Sequence, residues 1–125
     1  MSMDRYDYIV LGYDLKKYDN EIKEYFDKLI EEGRDQIVAN MLDYQSVGNI
    51  QLFDDPAGDG HLIYGLVICM CDEYDGYLKP VDLGSIDHVE KQDDVFKALQ
   101  ENFGEAFDCS EFKDNAHLIA FTEWR

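Results

Sequence analysis

The sequence predicts an α+β domain in which an antiparallel sheet packs on two or three helices. Three observations lead there. Hydrophobic spacing changes along the chain in the order strand, helix, strand, strand, helix, strand. The first and third strands are the most apolar, and these are the two that a ferredoxin-like βαββαβ arrangement places at the centre of its sheet. The chain has 125 residues and is 46% hydrophobic, enough for a single domain over 1–125 that buries roughly two thirds of its unfolded surface.

From Tyr6 to Tyr13 the chain is β-branched and aromatic, which suits a mostly buried strand. A helix is predicted after Asp14, capped by Asp19 or Asn20. Ile22, Tyr25, Phe26, Leu29 and Ile30 recur at steps of three and four on one face, and Gly33 supplies the stop. Gln36 to Leu42 keeps helical spacing through Ile37, Val38, Met41 and Leu42. The stretch between Gly33 and Ile50 is longer than the simple βαββαβ order needs, so a related two-layer packing is the alternative.

Ile50 to Phe53 reads as a short strand, followed by a turn from Asp54 to Gly60 built on Pro56 and two glycines. The second arm of that hairpin, His61 to Cys71, is the most apolar segment and is expected at the sheet centre. Asp72 to Gly76 turns the chain again, and Tyr77 to Leu83, interrupted by Pro80, is an edge strand or a loop. Helical spacing returns near Asp93 or Asp94 with Val95, Phe96, Leu99 and Phe103, ending at Gly104. His117 to Trp124 is the last strand, its aromatics completing the core.

Charge bounds the partners. Asp and Glu number 28 against 11 Lys and Arg, a formal charge of -17. Such a field repels phosphate backbones and anionic headgroups, so no direct nucleic acid or membrane partner is expected; a basic protein or a cation is favoured. The longest apolar run, Leu62 to Met70, is shorter than the roughly 20 residues that span a bilayer, and Met1 to Asp7 carries no secretory leader. Three cysteines, two of them one residue apart, do not read as a disulfide framework, and a cytoplasmic location is expected.

Residues 37–90 carry ten acids against the single base Lys79, whereas residues 1–36 carry ten acids and six bases and residues 91–125 eight acids and four bases. Six of the ten central acids lie in the two turns flanking the apolar third strand. Asp54, Asp55, Asp59, Asp72, Glu73 and Asp75 are therefore the candidate partner-binding acids, at ends of a strand roughly 35 Å long if straight. Tyr74 and Tyr77 are candidate anchors, because aromatic area supplies the contact energy that carboxylates lack. Acids also collect in turns simply because Asp favours them and turns are solvated.

No motif points to catalysis. Gly-x-Ser-x-Gly, a phosphate-cradling loop and a dinucleotide fingerprint are all missing from the sequence, and His61, His88 and His117 lie among abundant carboxylates by composition alone. Reading Gly76 as the sixth position of an EF-hand loop puts Cys71 first and Asp82 twelfth, a poor hard-cation set. Cys69, Cys71 and Cys109 lack zinc-site spacing and are expected as core residues. No cofactor, metal or enzymatic activity is expected.

Size, charge, the pairs Tyr6-Asp7, Tyr13-Asp14 and Tyr74-Asp75, and the lack of catalytic motifs together resemble the small acidic proteins that bacteriophages use against host enzymes and defence systems, including DNA-mimicking anti-restriction and anti-CRISPR proteins. The resemblance is one of composition over the whole chain. It implies a non-enzymatic inhibitor that blocks a basic nucleic-acid-binding protein or nuclease. Immunity proteins against basic nuclease toxins share the same physics, and a small metabolite-binding protein or enzyme with an ordinary acidic surface is the remaining alternative.

Overall fold

The computed structural model of the chain describes residues 5–43, 46–54, 60–72 and 88–124. The strands are β1 (Arg5–Asp14), β2 (Ile50–Asp54), β3 (Leu62–Cys71) and β4 (His117–Trp124); the helices are α1 (Asp19–Glu31), α2 (Asp35–Asp43) and α3 (His88–Phe103). The sheet order is β2-β3-β1-β4, with every neighbouring pair antiparallel. The two strands expected at the centre, β1 and β3, are the central ones, and the order is compatible with the ferredoxin-like arrangement. The predicted turns at 55–59 and 73–76, and the segment Tyr77 to Leu83, lie outside the described residues.

The first helix starts where predicted but without the predicted cap. Asp19 and Asn20 are already its first two residues; Tyr18 precedes them at the end of a 3-10 turn, Lys16–Tyr18, and makes no side-chain capping bond. Asp19 reaches forward instead, accepting from Lys23 Nζ at 2.9 Å. The helix stops at Gly33, whose φ of 76° lets its amide bond the Ile30 carbonyl while the Arg34 amide bonds that of Leu29. Ile22 and Leu29 are buried; Ile30 stands 53% exposed, at the margin of the face to which its spacing assigned it.

The second helix occupies the stretch that the simple strand order left over, packing between α1 and β2 with Met41 buried. Helix α3 begins at His88, five residues before Asp93, because Glu90, Lys91 and Gln92 propagate a helix without contributing to an apolar stripe. Its Val95, Leu99 and Phe103 are fully buried. With Tyr13, Leu15, Ile22, Leu52, Leu62 and Tyr64 they form the core between sheet and helices.

The opposite side of the sheet holds a second core, made of Tyr8, Val10, Phe53, Ile63 and Val67, with Tyr6, Met70, Ile119 and Phe121 against it. All nine are strand residues, and the sheet covers them by folding over on itself. In the register, Phe53 is level with Ile63 and the Asp14 end of β1, whereas Phe121 is level with Tyr8 near the other end. In a flat sheet the two would be roughly 25 Å apart. Their ring centroids are 4.9 Å apart, and Phe53 also lies 4.8 Å from Tyr8.

The crease runs through Gly12 and Gly65, which face each other across β1 and β3. A Cβ on Gly12 would run into the Tyr64 carbonyl oxygen, and one on Gly65 would lie 2.5 Å from the Leu11 oxygen. Only hydrogen fits on the inside of the bend. Beyond it the pairing skips Ile68, a bulge that adds twist and turns Met70 toward the inner core while Cys69 and Cys71 share the other side.

Candidate functional site

Of the acids singled out by segment charge, Asp54 and Asp72 are described. Asp54 ends β2, exposed and level with Leu62; Asp72 follows β3, half-buried. They stand at opposite ends of β3. Asp55, Asp59, Glu73, Tyr74, Asp75 and Tyr77 lie outside the described residues.

A second acidic surface emerges from the helical layer, where charge counting by segment missed it. At 100° per residue, Glu24, Asp27 and Glu31 project from α1 directly away from the buried side of Ile22 and Leu29, with Glu21 on the flank. All four are exposed. No cation pairs with them among the described residues: Lys23 is held by Asp19 at 2.9 Å, and Arg34 reaches Glu32 at 3.5 Å. The signal was present as acids at i, i+3 and i+7 opposite an apolar stripe.

Beside this ridge, Glu21, Glu24, Tyr25 and Lys28 form an open cleft with Glu105 and Ala106 of the segment after α3. Three carboxylates around a single ammonium suit a guanidinium or ammonium group from outside. Burial raises the Tyr25 phenol above its ordinary range, and the Glu105 charge adds to that, so the ring meets a partner as a neutral hydrogen-bond donor.

The 104–114 segment is pinned to the start of α1 by a small aromatic and ionic cluster. Tyr18 stacks on Phe107 with centroids 4.2 Å apart, its hydroxyl donates to Glu111, and Lys17 meets the same carboxylate at 2.5 Å while lying over the Tyr18 ring. Next to it, the Ser110 amide and hydroxyl hold the Asp108 carboxyl below the usual carboxylate range, keeping it ionised. Glu105, Asp108, Glu111 and Asp114, all exposed, continue the negative field from α1 along this segment.

The groups weighed for chemistry are dispersed. His61 meets Glu123 at 3.3 Å and packs against Phe121, closing the folded-over sheet; both side chains are nearly buried. His117 is exposed at the start of β4, far along the sheet from Glu123. Cys69 and Cys71 sit with their sulfurs 3.8 Å apart beside the Asp7 end of β1, while Cys109 lies in the helix-side core near Tyr13, its thiol raised by burial and by Asp108. Among the described residues no three His, Cys, Asp or Glu are grouped to hold a metal ion, and no helix is long and apolar enough to cross a membrane. The inner side of the crease also carries Gln51, fully buried and level with Gly65, whose amide oxygen and nitrogen have no hydrogen-bond partner among the described residues. Comparison with family models, with curated proteins and with solved structures gives no match for the chain.

Proposed function

We propose that the protein is a non-enzymatic acidic inhibitor that occupies the basic nucleic-acid-binding surface of another protein, such as a nuclease. The observation that carries this reading is the row of carboxylates on α1 that no cation pairs with among the described residues. Glu24, Asp27 and Glu31 follow one another at about 4.5 and 6 Å along the helix axis, taking about 1.5 Å per residue. One DNA strand presents a phosphate about every 3.4 Å of axis, so Lys and Arg placed to meet phosphates find carboxylates at comparable density. The cleft between α1 and Glu105 offers a pocket for one such cation, with Tyr25 as the aromatic contact. Asp54, Asp55, Asp59, Asp72, Glu73, Tyr74, Asp75 and Tyr77 remain the second proposed contact set.

A DNA mimic of the phage anti-defence type and an immunity protein against a nuclease toxin use the same surface, and the captured target separates them. The test is capture of partners from a bacterial lysate with and without duplex DNA. The proposal expects a basic nucleic-acid-binding protein that DNA displaces. With that partner in hand, Glu24→Lys, Asp27→Lys and Glu31→Lys together should slow association at least about tenfold with the fold intact. Undiminished binding by that triple variant would remove α1 from the contact, and loss of binding on Asp54→Lys with Asp72→Lys would place it at the ends of β3.

A further inference from the structure

We propose that two copies of the protein pair through the outer edge of β4, joining their sheets into one continuous eight-stranded sheet across a two-fold axis. The two edges of the sheet are built differently. At one, β2 has five residues, is packed by α2 and ends in the charged Asp54. At the other, β4 has eight residues, and among the described residues no strand bonds its outer side. Native sheets blunt such an edge with lysine, proline, a bulge or a cover. His117–Trp124 contains no Lys, Arg or Pro and pairs with β1 without a register shift. Its His117, Leu118 and Ala120 are exposed, Leu118 at 50%.

Charge selects the occupant. At -17, one copy repels another over most of its surface. The only acid on β4, Glu123, is buried against His61, so residues 118–121 form an uncharged apolar strip where like-charge repulsion is weaker than over the rest of the surface. The strip is also self-complementary. With Ala120 on the axis, Ile119 stands across from the partner's Phe121 and Leu118 from the partner's Thr122, and each pair shares a face of the joined sheet, an aromatic with a β-branched residue in the first. This inference does not depend on the proposed use of the α1 surface, which is left open to solvent in such a dimer.

Analytical ultracentrifugation of the intact protein tests it. The wild type should dimerise, and more tightly as salt rises from about 20 mM to about 500 mM, since screening relieves the repulsion of two acidic bodies. Leu118→Glu, at an exposed position that leaves folding intact, should raise the dimer dissociation constant at least about tenfold. Ala120→Cys should form a covalent dimer under mild oxidation, because facing residues in an antiparallel pair have Cα atoms about 4.5 to 5.5 Å apart, within disulfide reach. The native cysteines are buried, and Asn20→Cys on exposed α1 serves as the collision control. A wild type that stays monomeric across this salt range overturns the proposal, as does a Leu118→Glu protein that dimerises unchanged or an Ala120→Cys protein that links no faster than the control.

Discussion

On one side the sheet buries Tyr13, Leu52, Leu62 and Tyr64 beneath Leu99 and Phe103 of the helical layer; on the other it buries Tyr8, Val10, Phe53, Ile63 and Val67 largely beneath itself. The first closure follows from amphipathic helices and is written locally, in residues three and four apart. The second follows from a bend that two glycines, far apart in sequence, permit only when they meet. A single sheet thus contributes to two cores, one assembled by adding a layer and the other by folding the layer already present.

The most severe test of that comparison removes one ring from each core. Phe103→Ala on the helical side and Phe53→Ala on the inner side should each cost about 3 to 5 kcal/mol in urea unfolding, since both side chains are 1% exposed or less. A much smaller loss for Phe53 would mean that the inner face yields more readily than the helical one.

The next test addresses the crease. Gly12→Ala should destabilise the fold by about 3 kcal/mol, because its Cβ meets backbone rather than a movable side chain. Retention of wild-type stability would show that the sheet can open at this line without loss, and the two cores would then not share a common hinge.

The smallest effects distinguish two buried phenols within the helix-side core. Burial, with Asp114 and Asp93 adding, pushes the Tyr13 hydroxyl up to about 12; burial also pushes that of Tyr64 up to about 12, against the opposing pull of the Asn102 amide. Since both folded values exceed the ordinary 10.0, the stability they contribute is complete below pH 10 and is lost as the pH climbs toward 12. The Tyr64 hydroxyl accepts from Asn102 Nδ2 at 2.9 Å, whereas that of Tyr13 has no partner among the described residues. Tyr64→Phe should therefore cost about 1 kcal/mol at neutral pH and Tyr13→Phe almost nothing. Each variant should resist alkaline unfolding better than its neutral-pH stability implies, measured by circular dichroism between pH 9 and about 12.

Much of the fold was legible because period and composition carry it. The β-branched run of β1, the spacing of Ile22, Tyr25, Phe26 and Leu29, and the stop at Gly33 each state their element locally. The early start of α3 was hidden because Glu90, Lys91 and Gln92 favour a helix by propensity without marking an apolar face. The crease was hidden for a different reason: Gly12 and Gly65 read separately as ordinary strand glycines, and only long-range pairing gives them a shared meaning. The α1 ridge was masked by averaging, since of the lysines that balance its segment Lys17 and Lys23 are bound to Glu111 and Asp19, off the ridge, and only Lys28 lies beside it, in the cleft with Glu21 and Glu24.

Strand β1 also sets a schedule. It is made before the other described strands, yet one of its two neighbours is β4, whose Trp124 pairs with Arg5. At about 5 to 20 residues per second, the roughly one hundred residues between them take some 5 to 20 s to emerge. Until then β1 can hold β3 on one side only, with the Tyr8 and Val10 side chains lacking Ile119 and Phe121. A nascent chain in that interval presents an unfinished, apolar strand, the kind of surface that a chaperone recognises. Among the described strands, the last to be made is therefore the one that releases the first from that exposure.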